Sequence, residues 1–290
     1  MKFKQIVKLT SISIVAAALL TACGDEPQSG SASSKEEGKD GVTVVKVAYD
    51  QASKPMTYLD ENGNPTGYDV EVMKLVDEAL PQYEFDYVGT TSDDLLIGVE
   101  QGKYHAGVKN AFWTEERTQK YIFPKEFLGL SSAGLVLKKE NAHIKNLSDF
   151  AKAGYTLAPI AANNAQYTVI AEYNEANPDN PVKLQAGEEF TVDVVQWVNE
   201  GRVDGGVQIE GAFNGQVLTE GGPYYNLKDE VVYNEFAVIK TWPLFNKKQQ
   251  EFADAYDQAI AEIKKTDALQ QLSKEFYGKD LFEVLDSVNR

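Results

Sequence analysis

The pattern of hydrophobic and polar positions predicts an α/β chain built from two successive series of strands and helices. Residues 42–49 form a nearly continuous β-branched run, which is typical of a strand buried on both faces of a parallel sheet. Residues 69–80 carry apolar side chains at helical spacing, and we expect Asp69 to cap this helix and Pro81 to end it. A strand over 83–88, a helix over 92–101 and a strand over 103–109 complete the first series.

A second series follows, and the chain then adds one more strand and further helices. The strands and helices of the second series are predicted over residues 133–138, 146–150, 155–159, 163–174, 182–184, 191–200 and 203–209. A strand over 234–239 and an apolar helical stripe over 252–277, with Gly278 as C-cap, come after it. The simplest topology is a first lobe, a second lobe and a return to the first, with crossings near residues 128–134 and 231–236. Such an arrangement is a hinge with a ligand cleft between the lobes.

The stretch from Ala106 to Arg117 is the candidate for ligand contact. It reads as a buried strand, a loop with two adjacent aromatic residues and a first helical turn, for which Thr114 is the expected N-cap. Ligands of open α/β sheets lie at the carboxyl ends of strands, where this loop is expected. A guanidinium there can hold a carboxylate through two parallel hydrogen bonds. We hypothesise that Arg117 binds the carboxylate of a small molecule; the alternative is a surface arginine at an ordinary helix start.

Composition and charge narrow the classes of partner. The 290 residues are enough for two domains, and 43% of them are hydrophobic. The net charge of −16 argues against binding to nucleic acid and against broad docking on anionic lipid. An acidic surface keeps a secreted protein soluble but says little about its ligand.

The N-terminus predicts export and lipid anchoring. A lysine-rich start precedes an apolar segment, residues 9–20, that is too short to span a bilayer comfortably. The only cysteine, Cys23, follows in a sequence that resembles a bacterial lipobox. We expect residues 1–22 to be a signal peptide, Cys23 to be lipidated, and residues 23–41 to be a flexible linker. The mature protein would sit on the extracytoplasmic face of the cell membrane, attached through the lipid alone.

Metal and cofactor chemistry find little support in the sequence. His105 and His143 are the only histidines, and neither has nearby cysteines or spaced carboxylates. His105 lies in a strand and is expected to be structural. No Ser-His-Asp arrangement and no phosphate loop is visible, so we expect no metal, no cofactor and no catalysis.

Five short motifs, in this order, carry a resemblance to a known family. They are Gly67–Glu71, Thr114–Arg117, Asn146–Phe150, Val203–Gly206 and Leu272–Gly278. From about Val42 to Phe282 the chain resembles the substrate-binding proteins of polar amino-acid ABC transporters, which include glutamine-, histidine- and cystine-binding proteins. The resemblance implies a two-lobe, type II periplasmic-binding-protein-like α/β fold, in which each lobe is a sheet flanked by helices and two strands form the hinge.

The resemblance also implies lobe boundaries and partners. Lobe 1 is expected over 42–131 and 235–290, and lobe 2 over 132–234. The protein would be a monomer that captures a polar amino acid, with cystine as the leading candidate, and delivers it to an ABC permease.

Roles of individual residues follow from the same resemblance. Arg117 matches the arginine that grips the ligand α-carboxylate, and Asn110 to Phe112 match a loop that contacts the amino-acid head group. Asn163 and Asn164 match a helix start that donates backbone N–H groups to the carboxylate, as suits an anion. An acid at the end of the strand that begins at Val203 usually binds the ligand ammonium. Glu210 lies one residue later than the usual spacing, and Gln208 is the alternative.

The expected aromatic walls of the ligand pocket are missing from their usual places. Relatives hold the ligand side chain between two aromatic residues, at positions that are Ser53 and Ser92 here. Phe112, Trp113 and Tyr49 are the aromatic candidates in this chain. For Trp113 the alternative is core packing.

Two other functions remain open at this point. The same fold is used by some dehydratases and cell-wall lyases, which place an acid/base residue in the cleft, and Glu210 could be such a residue. A third possibility is a ligand-sensing receptor or adhesin that does not take part in transport.

Overall fold

The computed structural model describes residues 41–162, 164–187 and 192–288, with side chains as far as residue 285. The predicted signal peptide, the lipidation of Cys23 and the role of Asn163 lie outside these residues. The strands are β1 (Thr43–Asp50), β2 (Ala52–Ser53), β3 (Thr57–Leu59), β4 (Pro65–Thr66), β5 (Tyr83–Thr90), β6 (Ala106–Ala111), β7 (Tyr121–Ile122), β8 (Gly129–Lys138), β9 (Ile160–Ala161), β10 (Ala186–Gly187), β11 (Gly205–Ile209) and β12 (Val231–Asn246).

Helices follow most of these strands and cover the sheet. The α-helices are α1 (Tyr68–Ala79), α2 (Ser92–Gln101), α3 (Glu115–Lys120), α4 (Leu147–Lys152), α5 (Ala165–Ala176), α6 (Val194–Asn199), α7 (Glu210–Phe213), α8 (Gln250–Ile263), α9 (Ala268–Tyr277) and α10 (Leu281–Val288). Shorter helical turns occupy Lys139–Asn141, Asn214–Leu218 and Tyr225–Leu227.

One continuous sheet runs through the described part of the chain. Its strand order is β11-β8-β12-β6-β1-β5, and β7 pairs with β12 beside this path. Strand β1 is parallel to β5 and β6, as the first series predicted. Strand β12 is antiparallel to both β6 and β8, and β11 is antiparallel to β8. The long strands β8 and β12 therefore connect the two ends of the sheet.

Buried apolar residues form clusters at each end of this sheet. Two clusters pack β1, β5 and β6 against α1, α2 and α8. Two further clusters pack β8 and β11 against α4, α5 and α6. The predicted lobe boundary between 234 and 235 stays a prediction; Phe236, Ala237 and Ile239 pack with the second pair of clusters, which favours a boundary a few residues later.

Helix α1 begins differently from the sequence prediction. Its N-cap is Gly67, at a φ of 110°, and not Asp69. A Cβ at position 67 would lie 2.5 Å from the Met56 carbonyl oxygen, so this close approach of two backbone segments requires glycine. Asp69 lies inside the first turn and is buried, which leaves its carboxylate for another contact.

The C-terminal part combines a confirmed prediction with a missed helix. Gly278 ends α9 at a φ of 71°, as predicted. Helix α10 was not predicted; its Phe282 ring lies 6.2 Å from the ring of Phe127 and covers the start of β8. In the second series, the strand predicted over 155–159 is reduced to isolated parallel bridges at Thr156 and Leu157.

Candidate functional site

The turn from β6 to α3 forms the centre of the candidate site. Strand β6 ends at Ala111, and the side chain of Thr114 accepts a hydrogen bond from the Arg117 backbone N–H at 3.2 Å. The predicted N-cap at Thr114 is thus confirmed. Because the cap fixes the first turn, it also fixes the position from which the Arg117 side chain leaves the helix.

Arg117 is half-buried and keeps most of its hydrogen-bonding capacity. Its Nη1 donates to the Phe112 carbonyl oxygen at 2.8 Å, the hydrogen bond that its guanidinium makes within the described chain. Burial lowers the pKa of Arg117, while Tyr121 and Glu116 act in the opposite direction. An arginine stays charged under such conditions, and it has five N–H donors. The remaining donors can bind an anion.

Asp69 holds this loop through a hydrogen bond to its backbone, a role that was not predicted from the sequence. The side chain is 1% exposed, and its Oδ2 accepts a hydrogen bond from the Asn110 backbone N–H at 2.7 Å. Burial raises the pKa of Asp69 to about 7, although the hydrogen bond from Asn110 acts against this rise. A signal was present in the sequence, because position 69 falls in phase with the buried positions 72, 73 and 76 of α1. A carboxylate on the apolar face of a helix needs a specific partner.

Asn110 adopts the left-handed conformation, with a φ of 55°. Asparagine tolerates this conformation better than most residues. Its Nδ2 donates to the Ser131 hydroxyl at 3.2 Å, which ties the loop to β8. Since Asp69 already holds its backbone N–H, a head-group contact by Asn110 would have to come from its side chain or carbonyl.

A cavity of about 430 Å³ opens beside Arg117. It is lined by Leu96, Lys109, Asn110, Ala111, Phe112, Thr114, Glu116, Arg117, Lys120, Tyr121 and Asn164. Asn164 comes from the start of α5, so the lining joins residues that pack at both ends of the sheet. Its side chain caps α5 by accepting from the Gln166 N–H at 2.9 Å.

A second cavity of about 390 Å³ adjoins the first at Asn164 and contains Gln208. Gln208 Nε2 donates to Gln216 Oε1 at 3.0 Å, while Gln208 Oε1 is buried without a hydrogen-bond partner in the described chain. Asp193 also lines this cavity, but its carboxylate accepts from the Gln196 N–H and from the Tyr224 hydroxyl. Among the buried side-chain acceptors that line this cavity in the described chain, Gln208 Oε1 is therefore the one without a partner.

Glu210 is engaged away from both cavities. Its carboxylate lies 2.7 Å from Lys279 Nζ, and Lys279 also pairs with Glu235. Glu210 is not among the residues that line the two cavities described above.

The three aromatic candidates are separated by the structure. Phe112 lines the cavity beside Arg117 and also a neighbouring cavity of about 410 Å³. Trp113 is 51% exposed and lines that neighbouring cavity, together with residues of α5 and β12. Tyr49 is 3% exposed in the core around β1 and does not line the cavity beside Arg117. Of these three residues, Phe112 is thus the one that lines the cavity beside Arg117, which Tyr121 also lines.

Lys109 was not predicted as a site residue, yet it lines the same cavity as Arg117. It is half-buried, and its ammonium makes no hydrogen bond or ion pair with the described residues. Burial and the charge of Arg117 lower the pKa of Lys109, whereas Asp50 and Asp93 act in the opposite direction. The available signal in the sequence was that Lys109 is a charged residue near the carboxyl end of a buried strand.

The chain is similar to known proteins over most of its length. A family model, described as bacterial extracellular solute-binding proteins, family 3, matches residues 45–279. The chain belongs to this family. An L-cystine-binding protein of Bacillus subtilis, TcyJ, is 29% identical over 225 residues, which cover 78% of this chain and 80% of TcyJ. A second L-cystine-binding protein of that organism, TcyK, is 26% identical over 262 residues, or 90% and 92% of the two chains.

A solved structure supports the fold of this solute-binding protein. The probable amino-acid ABC transporter extracellular-binding protein ytmK of Bacillus subtilis is 23% identical and has a TM-score of 0.61. The match covers 82% of this chain and 99% of the other. The predicted two-lobe α/β fold of type II periplasmic-binding proteins is therefore confirmed.

Neither a membrane-spanning helix nor a metal-binding cluster occurs in the described part of the chain. None of the helices in this part of the solute-binding protein is both long and apolar enough to cross a bilayer. The described residues also contain no cluster of three or more histidine, cysteine, aspartate or glutamate side chains able to hold a metal ion.

Proposed function

We propose that this solute-binding protein captures a polar amino acid in the cleft between its lobes and delivers it to an ABC permease. The observation that carries the proposal is the half-buried guanidinium of Arg117, which faces a cavity with most of its donors unused. A guanidinium fork matches a carboxylate in shape and charge. Every free amino acid offers such a carboxylate.

The ligand ammonium needs an acceptor in the same cleft. An unpaired charge taken into a closed cleft costs several kcal/mol, so both charges of a zwitterion must be paired. Of the two residues predicted for this role, we favour Gln208, because its Oε1 lacks a partner in the described chain while Glu210 is paired with Lys279. Asn164, at the start of α5 and next to both cavities, would approach the carboxylate from the second lobe.

Closure of the lobes would complete the site. Strands β8 and β12 join the two ends of the sheet and form the hinge in this proposal. A ligand that contacts both lobes stabilises the state in which both sets of contacts form together.

The identity of the ligand and the place of work are further parts of the proposal. Cystine remains the leading candidate, and it is supported by two relatives that are named L-cystine-binding proteins. We also propose that Cys23 is lipidated and holds the monomeric protein at the extracytoplasmic face of the membrane.

Enzymatic use of the cleft is the weaker alternative. A cleft enzyme needs an acid/base residue within reach of the substrate. Glu210, the residue suggested for that role, lies 2.7 Å from Lys279 Nζ and does not line the two cavities described above.

A thermal-shift panel of the twenty amino acids and cystine tests the proposed function. A ligand present at about 100 times its Kd should add roughly 2.7 kcal/mol of stability. For a chain of this size, that corresponds to an increase in Tm of about 5–10 °C. Arg117→Met should abolish the shift for every ligand, because the head-group charge then has no partner, whereas Phe112→Ala should change the ranking of ligands.

The matched control is Arg202→Met, which removes an exposed arginine that pairs with Glu200 and contacts Trp197. This variant should keep the whole panel of shifts. A panel without any shift would refute amino-acid binding, and consumption of the bound ligand in a product assay would refute a purely binding role.

A further inference from the structure

Two cationic side chains line the cavity in which we propose that the α-carboxylate of the ligand binds. Lys109 and Arg117 both line it, and both are half-buried. The guanidinium suffices for an α-carboxylate. The Lys109 ammonium, without a hydrogen bond or ion pair in the described chain, is left over.

The acidic residues of the described chain form no ion pair with this second cation. Asp50 and Asp93 act on Lys109 electrostatically, but neither lines the cavity. Glu116 lines the cavity, but its side chain is exposed and has an interaction of its own. Asp69 lies beneath the loop, where it holds the Asn110 N–H.

Closure of the cleft removes water from the Lys109 ammonium, which is unfavourable unless an anion replaces that water. A cation that loses water without gaining an anion is destabilised. An amino acid with a neutral side chain brings one carboxylate, which Arg117 takes. A ligand with a second carboxylate pairs both cations, and the two cavities that meet at Asn164 extend the space available to it.

We infer that Lys109 forms a second anion subsite and that the ligand is an amino acid with two carboxylates. The second carboxylate lies either on the side chain or on the far half of a disulfide-linked amino acid. The inference rests on the proposed function and narrows its ligand class. It adds Lys109 as a residue that determines specificity.

Isothermal titration with matched ligand pairs tests this subsite. L-glutamate is compared with L-glutamine, and L-cystine with S-methyl-L-cysteine, which lacks the second half. At least one dicarboxylate should bind about tenfold or more tighter than its neutral counterpart, the effect expected of one charge-assisted hydrogen bond. Lys109→Met should remove this preference, and it should raise the affinity for the neutral ligands, because no unpaired cation then has to lose water when the cleft closes.

Two further variants separate charge from folding. Lys109→Arg keeps the cation and should retain the preference for the dicarboxylate. Lys125→Met removes an exposed lysine outside the cavity and should behave as the unmodified protein. Melting temperatures of all variants without ligand would reveal any loss of folding.

Each outcome bears on one of the two proposals. Equal affinity for both members of each pair, or the same preference in Lys109→Met, would overturn the second subsite and leave the proposed function in place. If none of the ligands binds to the unmodified protein, the proposed function fails, and the subsite fails with it.

Discussion

Asp69 shows at the scale of one residue how the core supports the site. Its buried carboxylate receives the backbone N–H of Asn110, which stands in a left-handed conformation just before the ligand loop. Asp69 Oδ1 is buried without a hydrogen-bond partner in the described chain. Burial favours the protonated form of this carboxyl more strongly than the single hydrogen bond from Asn110 opposes it, and its pKa rises to about 7. The loop is therefore anchored by a group that resists ionisation.

The raised pKa predicts a stability effect for Asp69→Asn. The folded state binds the Asp69 proton more tightly than the unfolded chain does, so the contribution of this residue to stability falls as the pH rises from about 4 to about 7. Asparagine keeps an acceptor for the Asn110 N–H and cannot ionise. The difference in free energy of unfolding between the variant and the unmodified protein should therefore shift in favour of the variant as the pH rises from about 4 to about 7. The total shift should be on the order of 4 kcal/mol.

Urea unfolding at several pH values between 4 and 8 measures this difference. Asp86→Asn, which alters an exposed carboxylate on β5, is the control. Parallel curves of unfolding free energy against pH for Asp69→Asn and the unmodified protein would contradict the assignment.

At the scale of elements, the short helix α3 matters because it carries Arg117. Six residues are too few for a helix to be stable by itself, so its cap and its packing must hold it. The backbone N–H that Thr114 caps belongs to Arg117 itself. The geometry of the cap and the position of the guanidinium are thus one structural feature.

This coupling predicts that Thr114→Ala affects both stability and ligand affinity. Loss of an N-cap costs typically about 1 kcal/mol of stability, and the loosened first turn should also weaken ligand binding severalfold. Thr114→Ser keeps the hydroxyl and should restore both properties. Chemical unfolding and titration with the best ligand of the panel provide the two measurements.

Helix α4 offers a control of similar chemistry. Its cap, Asn146, accepts from the Asp149 N–H at 2.9 Å, and no residue of α4 lines the cavity beside Arg117. Asn146→Ala should lower stability by a similar amount and leave ligand affinity unchanged. A similar loss of affinity in both variants would mean that affinity follows global stability and not the cap of α3.

At the scale of the whole molecule, Lys279 joins distant parts of the chain. It follows α9 and reaches both Glu210, at the start of α7, and Glu235, on β12. Burial by itself would lower the pKa of Lys279, but its hydrogen bonds and charge interactions with these two acids raise it. Lys279 therefore offsets the repulsion between the Glu210 and Glu235 carboxylates beside strand β12.

Lys279→Met is expected to destabilise the whole protein. Removal of the cation leaves two acids facing each other, and because all three side chains are partly exposed, solvent limits the cost to about 1 kcal/mol. High salt should screen part of this loss, and a second substitution, Glu235→Gln, should recover part of it. Urea unfolding at low and high salt tests the effect, with Lys274→Met, at an exposed lysine of α9, as control. A salt-independent loss would point to packing in place of charge.

The sequence by itself determined much of this protein. The β-branched run before residue 50, the helical stripes and the cap at Thr114 are local signals, since each depends on the spacing of neighbouring residues. They sufficed to predict an α/β chain with two series of strands and helices and a return to the first lobe near residue 231. They also sufficed to select Arg117 as the candidate ligand contact. Motif order then led to the family that the comparisons confirm.

The tertiary structure alone decided which side chains meet. Asp69 and Asn110 lie 41 positions apart, and Glu210 and Lys279 lie 69 apart, so no local pattern could pair them. The fold placed Lys109 beside Arg117 and kept Tyr49 in the core, because the direction of each side chain depends on strand register and helix packing. Local chemistry pointed to Arg117, for which we propose carboxylate binding, and three-dimensional packing supplied the support, the neighbouring cation and the acceptor that complete the candidate site.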